Sequence, residues 1–295
     1  MFINAIQIVG DYTRSINTIS ANYQSTDIYT GKATMFFVNE DGYAITCKHV
    51  AEMIIQSEKI KNNYQAFKVE RDKIKDLPEY EILLKEIESK YHYQSNTTIQ
   101  LKPNFVDCVD QMEGFTIHLH PTLDLAIIKF NGYKKIHYNN FAKFLKDENK
   151  LKQGKFLCRI GYPFPEFNNY HRNEITHEIE WTKSGISTSP LFPIEGMVTR
   201  FLGDSTLGVY GIEMSTPGLR GQSGGPLFDE NGVVYGMQFS TKHLHLGFDL
   251  EDKEIMINNK IKKVSDYSFI HLGQCIHVNM IKSFLRQHQV NFYEI

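Results

Sequence analysis

Three dipeptides constrain the fold of this chain more than any other feature: Asp41-Gly42, Asn131-Gly132 and Asn231-Gly232. Glycine reaches positive φ without a Cβ penalty, so an Asx-Gly pair between two apolar runs reads as a tight hairpin turn, and one after a single run as a strand end. The first separates Met35-Phe36-Phe37-Val38 from Tyr43-Ala44-Ile45-Thr46, and the third separates Leu227-Phe228 from Val233-Val234-Tyr235. The second closes the nearly continuous apolar run Leu125-Ala126-Ile127-Ile128-Lys129-Phe130. Strand character also marks 114–119, 156–160, 196–201 and 207–212. Many short strands punctuated by turns predict a mostly β protein of barrel or sandwich type.

Two stretches depart from this pattern. Between about 52 and 93 the chain becomes rich in Lys, Glu and Asp, and Tyr80, Leu83, Leu84, Ile87 and Tyr91 form one apolar stripe at helical spacing. Pro78, Glu79 and Glu81 near its start and Lys90 near its end agree with helix boundary signals. This is a helical insertion, read either as a solvated helix docked on its own domain or as an arm for a partner. At the C-terminus, Asn279 is the expected N-cap of a closing helix with Ile281, Phe284, Leu285 and His288 on one face. The polar stretch 139–152 reads as a linker with a short helix.

With 295 residues and 41% apolar content the chain can bury a sizeable core. Its 32 basic and 34 acidic residues leave a net charge of -2, which gives no reason to expect nucleic acid as the main partner. Four cysteines, Cys47, Cys108, Cys158 and Cys275, are too scattered for a zinc motif and too few to staple a chain this long, so free thiols are expected. The N-terminus lacks a secretory pattern and no apolar run is long enough to cross a membrane. A cytoplasmic location without membrane attachment is the expectation.

The chemistry-bearing segment is Gly221-Gln222-Ser223-Gly224-Gly225-Pro226, a hydroxyl between glycines whose bare backbones can leave N–H groups facing a reacting carbonyl. A neutral serine needs a base, and imidazole is the side chain best matched to neutral pH. His49 in Thr46-Cys47-Lys48-His49-Val50-Ala51 is that base, and Asp124 between Leu123 and Leu125 is the shielded carboxylate that orients it. The backbone N–H groups of Gly221 and Ser223 are the expected oxyanion donors; losing one such donor typically costs about 3 to 4 kcal/mol of transition-state stabilisation. Together these residues point to acyl transfer.

Competing readings are weaker. Gly221-x-Ser223-x-Gly225 also fits the nucleophile elbow of the α/β-hydrolases, but there the acid and histidine follow the serine, and here a hairpin follows and too little chain remains. His243-x-His245 with His271 raises a metal site, yet no acidic or thiol partner stands at ligand spacing, so neither metal nor cofactor is expected. Cys47 reads as a buried thiol.

These residues resemble the chymotrypsin-like (trypsin-fold) serine peptidases, particularly the bacterial branch related to the HtrA/Deg proteases. The resemblance rests on 36–43 running into Thr46-x-x-His49-Val50, on Asp124-Leu125-Ala126, Gly161-Tyr162-Pro163 and Gly196-Met197-Val198, and on Gly221–Leu227. It implies an all-β fold of two packed six-stranded antiparallel barrels, over 1–140 and 141–295, with the active site in the crevice between them. It implies a serine endopeptidase acting on protein or peptide substrates, with His49 and Asp124 from the first barrel and Ser223 from the second. It also places Pro217, Arg220, Gln238, Phe239, Ser240 and Thr241 at the substrate, the strand 237–241 walling the primary specificity pocket.

The departures carry information. Gln222 stands where digestive trypsins carry the aspartate that pairs with a freshly cut N-terminus, which argues against maturation by that ion pair. Pro217 stands where trypsins place the aspartate that selects Lys or Arg, so trypsin-like specificity is not expected. Thr241, where a glycine often opens the pocket, predicts a shallow site for small or medium apolar side chains. Met35 replaces a glycine of the HtrA pattern, and no trailing PDZ-like domain fits after the closing helix. The insertion lies between His49 and Asp124 in the chain, so it is expected to gate the cleft or to dock a regulatory protein partner. The alternative from another class is a catalytically silent peptidase-fold module that binds extended segments by strand addition.

Overall fold

The computed structural model describes residues 2–295. In chain order it has α1 (Ile3–Gly10), β1 (Thr13–Asn22), β2 (Tyr29–Phe37), β3 (Tyr43–Thr46), α2 (Lys48–Ile74), α3 (Tyr80–Tyr91), β4 (Thr98–Phe105), β5 (Gly114–Leu119) and β6 (Ala126–Asn131). There follow β7 (Lys143–Phe144), a 3₁₀ turn (Glu148–Lys150), β8 (Phe156–Gly161), β9 (Tyr170–Arg172), β10 (Ile179–Trp181), β11 (Phe192–Asp204), β12 (Gly208–Met214) and β13 (Pro226–Phe228). The chain ends with β14 (Val233–His245), β15 (Leu250–Ile257), β16 (Lys260–Asp266), β17 (Phe269–His277), α4 (Val278–Gln287) and β18 (Tyr293–Glu294).

The first six strands make one antiparallel sheet in the order β4-β1-β2-β3-β6-β5. In the second sheet β13 pairs with both β8 and β14, so β8, β11, β12, β17, β14 and β13 close into a six-stranded ring. The short β7 pairs in parallel with β14, and β18 with β7, which extends this sheet to eight strands. The mostly β architecture of two main sheets with a closing helix is the one expected, with β7, β18 and the separate pairs β9–β10 and β15–β16 as additions.

Hairpins form at Asp41-Gly42, between β2 and β3, and at Asn231-Gly232, between β13 and β14, whereas Asn131-Gly132 ends β6, whose partners are β3 and β5; Gly42, Gly132 and Gly232 are all at positive φ. One hydrophobic core runs through both sheets, from Ile16, Phe36 and Ile127 to Leu157, Val234 and Leu285. Phe37 stacks on Tyr138 at 3.8 Å, and Phe36 packs on Phe144 across the two sheets. This shared core fixes the seam along which the site lies.

The insertion is an α-hairpin of α2 and α3, and α2 starts earlier than expected, at Lys48 rather than near 52. It lies against β4 and closes its own cluster of Tyr23, Phe67, Tyr93 and Ile99, with Tyr64, Leu84, Ile87 and Tyr91 half-buried around it. The predicted stripe thus docks on the protein's own body. The expected N-cap Asn279 is displaced: His277 caps α4, its Nδ1 accepting from the Asn279 N–H at 3.2 Å, because β17 hands directly into the helix. The exposed hairpin β15–β16 between β14 and β17 turns on Asn258 and Asn259, both left-handed.

Candidate active site

The strand β3 ends at Thr46, Cys47 stays extended, and α2 begins at Lys48, so His49 lies in the first turn of a helix that has no side-chain cap of its own. Asp124 supplies one from across the sheet. One carboxylate oxygen accepts the His49 backbone N–H at 2.9 Å, and the other takes the ring Nδ1 at 2.7 Å. This fixes position and tautomer together: with Nδ1–H donated to the carboxylate, Nε2 is left as the acceptor. Leu123 and Leu125, both buried, flank the carboxylate as expected. Burial works to raise the Asp124 pKa, but the bonds from the His49 ring, the His49 N–H and the Lys48 N–H outweigh it, and the net direction is down. The carboxylate is therefore ionised at neutral pH.

The loop bearing Ser223 is held by a dense set of bonds to the first sheet. Gly221 and Gly224 both adopt positive φ, and a Cβ at Gly224 would collide with the Thr34 carbonyl. The Thr34 N–H donates to the Ser223 carbonyl at 2.9 Å, and its hydroxyl donates to the Gly221 carbonyl at 2.8 Å. Within the loop, Gln222, Gly224 and Gly225 donate their N–H groups to Leu219, Gln238 and Gln222 carbonyls. Among the described residues the N–H groups of Gly221 and Ser223 donate to nothing. They are unspent donors on either side of the peptide that precedes the hydroxyl, which is the requirement for an oxyanion site.

Gln222 is fully buried, with its side chain accepting from the Leu219 N–H at 3.0 Å and donating to the Phe192 carbonyl at 3.1 Å. Two neutral backbone bonds thus brace the loop where trypsins use an ion pair.

The structure brings His49 and Asp124 into direct contact and sets Ser223 on the same seam. The Gln238 carbonyl accepts from both the Gly224 N–H at 2.8 Å and the Cys47 thiol at 3.3 Å, and so ties the nucleophile loop to the residue two before His49. No hydrogen bond joins the Ser223 hydroxyl to the His49 ring among the described residues; such bonds are often long until substrate tightens them. Cys47 is fully buried and its pKa is raised well above the ordinary thiol value by burial. Its Sγ lies within 4.8 Å of ligand atoms of His49 and Asp124, but a protonated thiol beside a carboxylate already committed to Nδ1–H suits a catalytic pair better than a metal.

The substrate-side residues divide. Gln238 and Thr241 on β14 face the segment of Pro217, Gln238 over Gly218 and the Thr241 hydroxyl bonded to both the N–H (3.0 Å) and the carbonyl (2.7 Å) of Gly218, while Ser240 offers its backbone carbonyl to the Gln238 carboxamide. Phe239 instead turns to a cleft of about 550 Å³ that it lines with Thr122, Asp124 and Tyr210, because it is the extra residue of a bulge that breaks the pairing of β14 with β17 between Gln238 and Ser240. Arg220 is exposed. Behind Gln238 stands the buried Arg159 guanidinium, bonded to Gln238, Thr216 and Pro217, a polar group in place of the expected apolar lining. Sequence reasoning missed Arg159 and Thr34, for neither lies in a motif. Of the far histidines, His245 Nε2 bonds the Asp249 carboxylate at 2.7 Å, while His243 and His271 pair with each other across β14 and β17.

No helix is long and apolar enough to cross a membrane among the described residues. A relative described as a probable periplasmic serine endoprotease DegP-like, from Bartonella henselae, is 30% identical over 129 residues, covering 43% of this chain. The chain spans 20% of that relative's length, and its stated compartment lends no support to a cytoplasmic location. Among solved structures, the chain is similar to the active form of the Rv3671c protease of M. tuberculosis (12% identity, 98% of this chain and 86% of that one, TM-score 0.47). It is also similar to the HtrA-type protease AlgW with a decapeptide (11% identity, 97% and 66%, TM-score 0.48). The family model described as trypsin-like peptidase domain matches residues 33–237, a span that holds His49, Asp124 and Ser223. Since that span exceeds half of its length, the chain belongs to the trypsin-like peptidase domain family.

Proposed function

We propose that this protein is a serine endopeptidase that hydrolyses protein or peptide substrates through an acyl-enzyme. The observation that carries the reading is the two-point grip of Asp124 on His49 beside a glycine-rich loop with two unspent N–H donors. Ser223 Oγ attacks the scissile carbonyl as His49 Nε2 takes its proton, and Asp124 stays ionised against the imidazolium. The Gly221 and Ser223 N–H groups receive the charge that builds on the carbonyl oxygen. Collapse returns the proton to the leaving amine, and water repeats the cycle to free the acid product. Because Gln222 braces the loop without an ion pair, the enzyme needs no cut N-terminus to assemble it.

A fluorophosphonate probe tests the reading. Wild type is expected to label at one serine, Ser223→Ala to label not at all, and Asp124→Asn to lose about 10⁴-fold in kcat with the fold intact. A wild-type protein that neither labels nor cleaves any peptide, yet binds extended segments, is a silent recognition module instead.

A further inference from the structure

Arg159 is a buried charge without a counter-charge. It is 0% exposed on β8, and its Nε has no partner. Nη1 donates to Gln238 Oε1 at 2.6 Å; Nη2 donates to the Thr216 carbonyl at 2.9 Å, the Thr216 hydroxyl at 2.6 Å and the Pro217 carbonyl at 3.2 Å. Every acceptor is neutral. The nearby Cys275 and Cys158 thiols are pushed by burial up to about 11 and about 12, so they carry no charge at neutral pH. No carboxylate pairs with the guanidinium among the described residues. Burial lowers its pKa, but a guanidinium keeps its proton in proteins, so the positive charge stays. Such an ion is costly to bury unless an anion joins it.

Its location says what that anion is. Thr216 and Pro217 lead into the nucleophile loop, Gln238 lies on the facing strand β14, and Gly273 on β17 is bare where a Cβ would collide with Nη1. By the trypsin-fold resemblance these segments wall the primary specificity slot, and Gln238 is tied to the loop bearing Ser223 by the Gly224 N–H on its carbonyl and by its own N–H on the Gly225 carbonyl. The Gln238 carboxamide fills the space over Gly218, donates to the Ser240 carbonyl at 2.5 Å, and rests its oxygen on the guanidinium. A carboxamide is the neutral isostere of a glutamate head. The slot therefore already holds an internal stand-in for an acidic side chain.

We infer, resting on the peptidase reading, that the slot selects an acidic residue, glutamate or aspartate, on the N-terminal side of the scissile bond. The substrate carboxylate takes the place of Gln238 Oε1 on Arg159, and the Thr241–Gly218 bridge opens to admit it. A charge-assisted bond replaces a neutral one, and the guanidinium gains the counter-charge it lacks.

The test uses peptides that differ only at that residue. For wild type, kcat/KM with glutamate should exceed that with glutamine by about tenfold to a hundredfold, with lysine and leucine lower still. In Arg159→Met the glutamate-to-glutamine ratio should fall to near one. Fluorescence polarisation with Ser223→Ala protein reads the same ratio from binding, without turnover. Equal use of glutamate and glutamine by wild type, or a preference that survives Arg159→Met, overturns the inference; should Arg159→Met not fold, the wild-type ratio decides. A wild-type protein that fluorophosphonate fails to label overturns only the peptidase reading, since the binding ratio still reports the slot.

Discussion

Thr34 holds the loop of the proposed nucleophile from the first sheet, through bonds to the Ser223 and Gly221 carbonyls. Its hydroxyl donates to the Gly221 carbonyl and accepts from the Tyr162 N–H at 3.2 Å, while its own carbonyl accepts from Thr46 at 2.8 Å. The side chain thus sets the tilt of the peptide that follows Gly221, and with it the aim of the neighbouring N–H groups. Thr34→Val keeps the shape and the backbone bond to Ser223 but removes both hydroxyl bonds. Leaving a buried group unpaired costs about 1 to 3 kcal/mol. We expect kcat to fall about tenfold with KM little changed, as for a weakened oxyanion site, and Thr34→Ser to restore it. Steady-state kinetics on the three proteins checks this, and an unchanged kcat for Thr34→Val would remove Thr34 from the positioning role. The contrast with Ser223, His49 and Asp124 explains what was legible in the sequence. Each of those sits in a short local context whose chemistry can be read from its neighbours. Thr34 and Arg159 act through contacts with residues 187 and 79 positions away, and no local pattern encodes such a contact.

The elements differ in how firmly their sequences announce them. Strands that bury one or both faces show as alternation or as apolar runs, so β3, β6 and β8 stand out. Both strands of β15–β16 are almost wholly exposed, so no face-dependent period exists to be seen, and β7 is too short to carry one. Helix ends are legible to within a residue or two at best, and α4 shows why. A histidine can cap only while its ring is neutral, and His277 is held neutral chiefly by burial, which lowers its pKa from 6.5. The sign follows from linkage: the folded state binds the proton less readily, so this stability is present above pH 6.5 and is lost as pH falls below it toward the folded value. Replacing His277 by asparagine gives a cap that does not titrate. Thermal melts at pH 7.5 and 5.5 should show a smaller acid-induced drop in Tm for His277→Asn than for wild type, and parallel drops would show that His277 contributes none of it.

On the scale of the whole molecule, the two sheets share one core while the α2–α3 arm closes a separate one. A helix of 27 residues is about 40 Å long, so the two ends of α2 belong to different packing units. Val50 and Ile54 near its start are part of the main core, and Lys48 Nζ donates to the His120 carbonyl at 3.0 Å. The far half depends on Phe67, fully buried among Tyr23, Tyr91 and Tyr93. Truncating a buried phenylalanine to alanine costs about 3 to 5 kcal/mol, and here that loss falls on the satellite cluster. Phe67→Ala should therefore speed amide hydrogen exchange across 60–93 and leave the protection of β12, β14 and β17 unchanged. Gating of the cleft by the arm would require motion at the far end to reach His49. The first turn is anchored independently, by Asp124 on the His49 N–H and ring and by Lys48 on the neighbouring loop. Peptide hydrolysis by Phe67→Ala is accordingly expected to stay within about twofold of wild type, because a loosened arm has no rigid path to the imidazole. A tenfold change in kcat alongside the same exchange pattern would mean that the helix transmits the disturbance, and would make the arm a control element rather than a docked appendage.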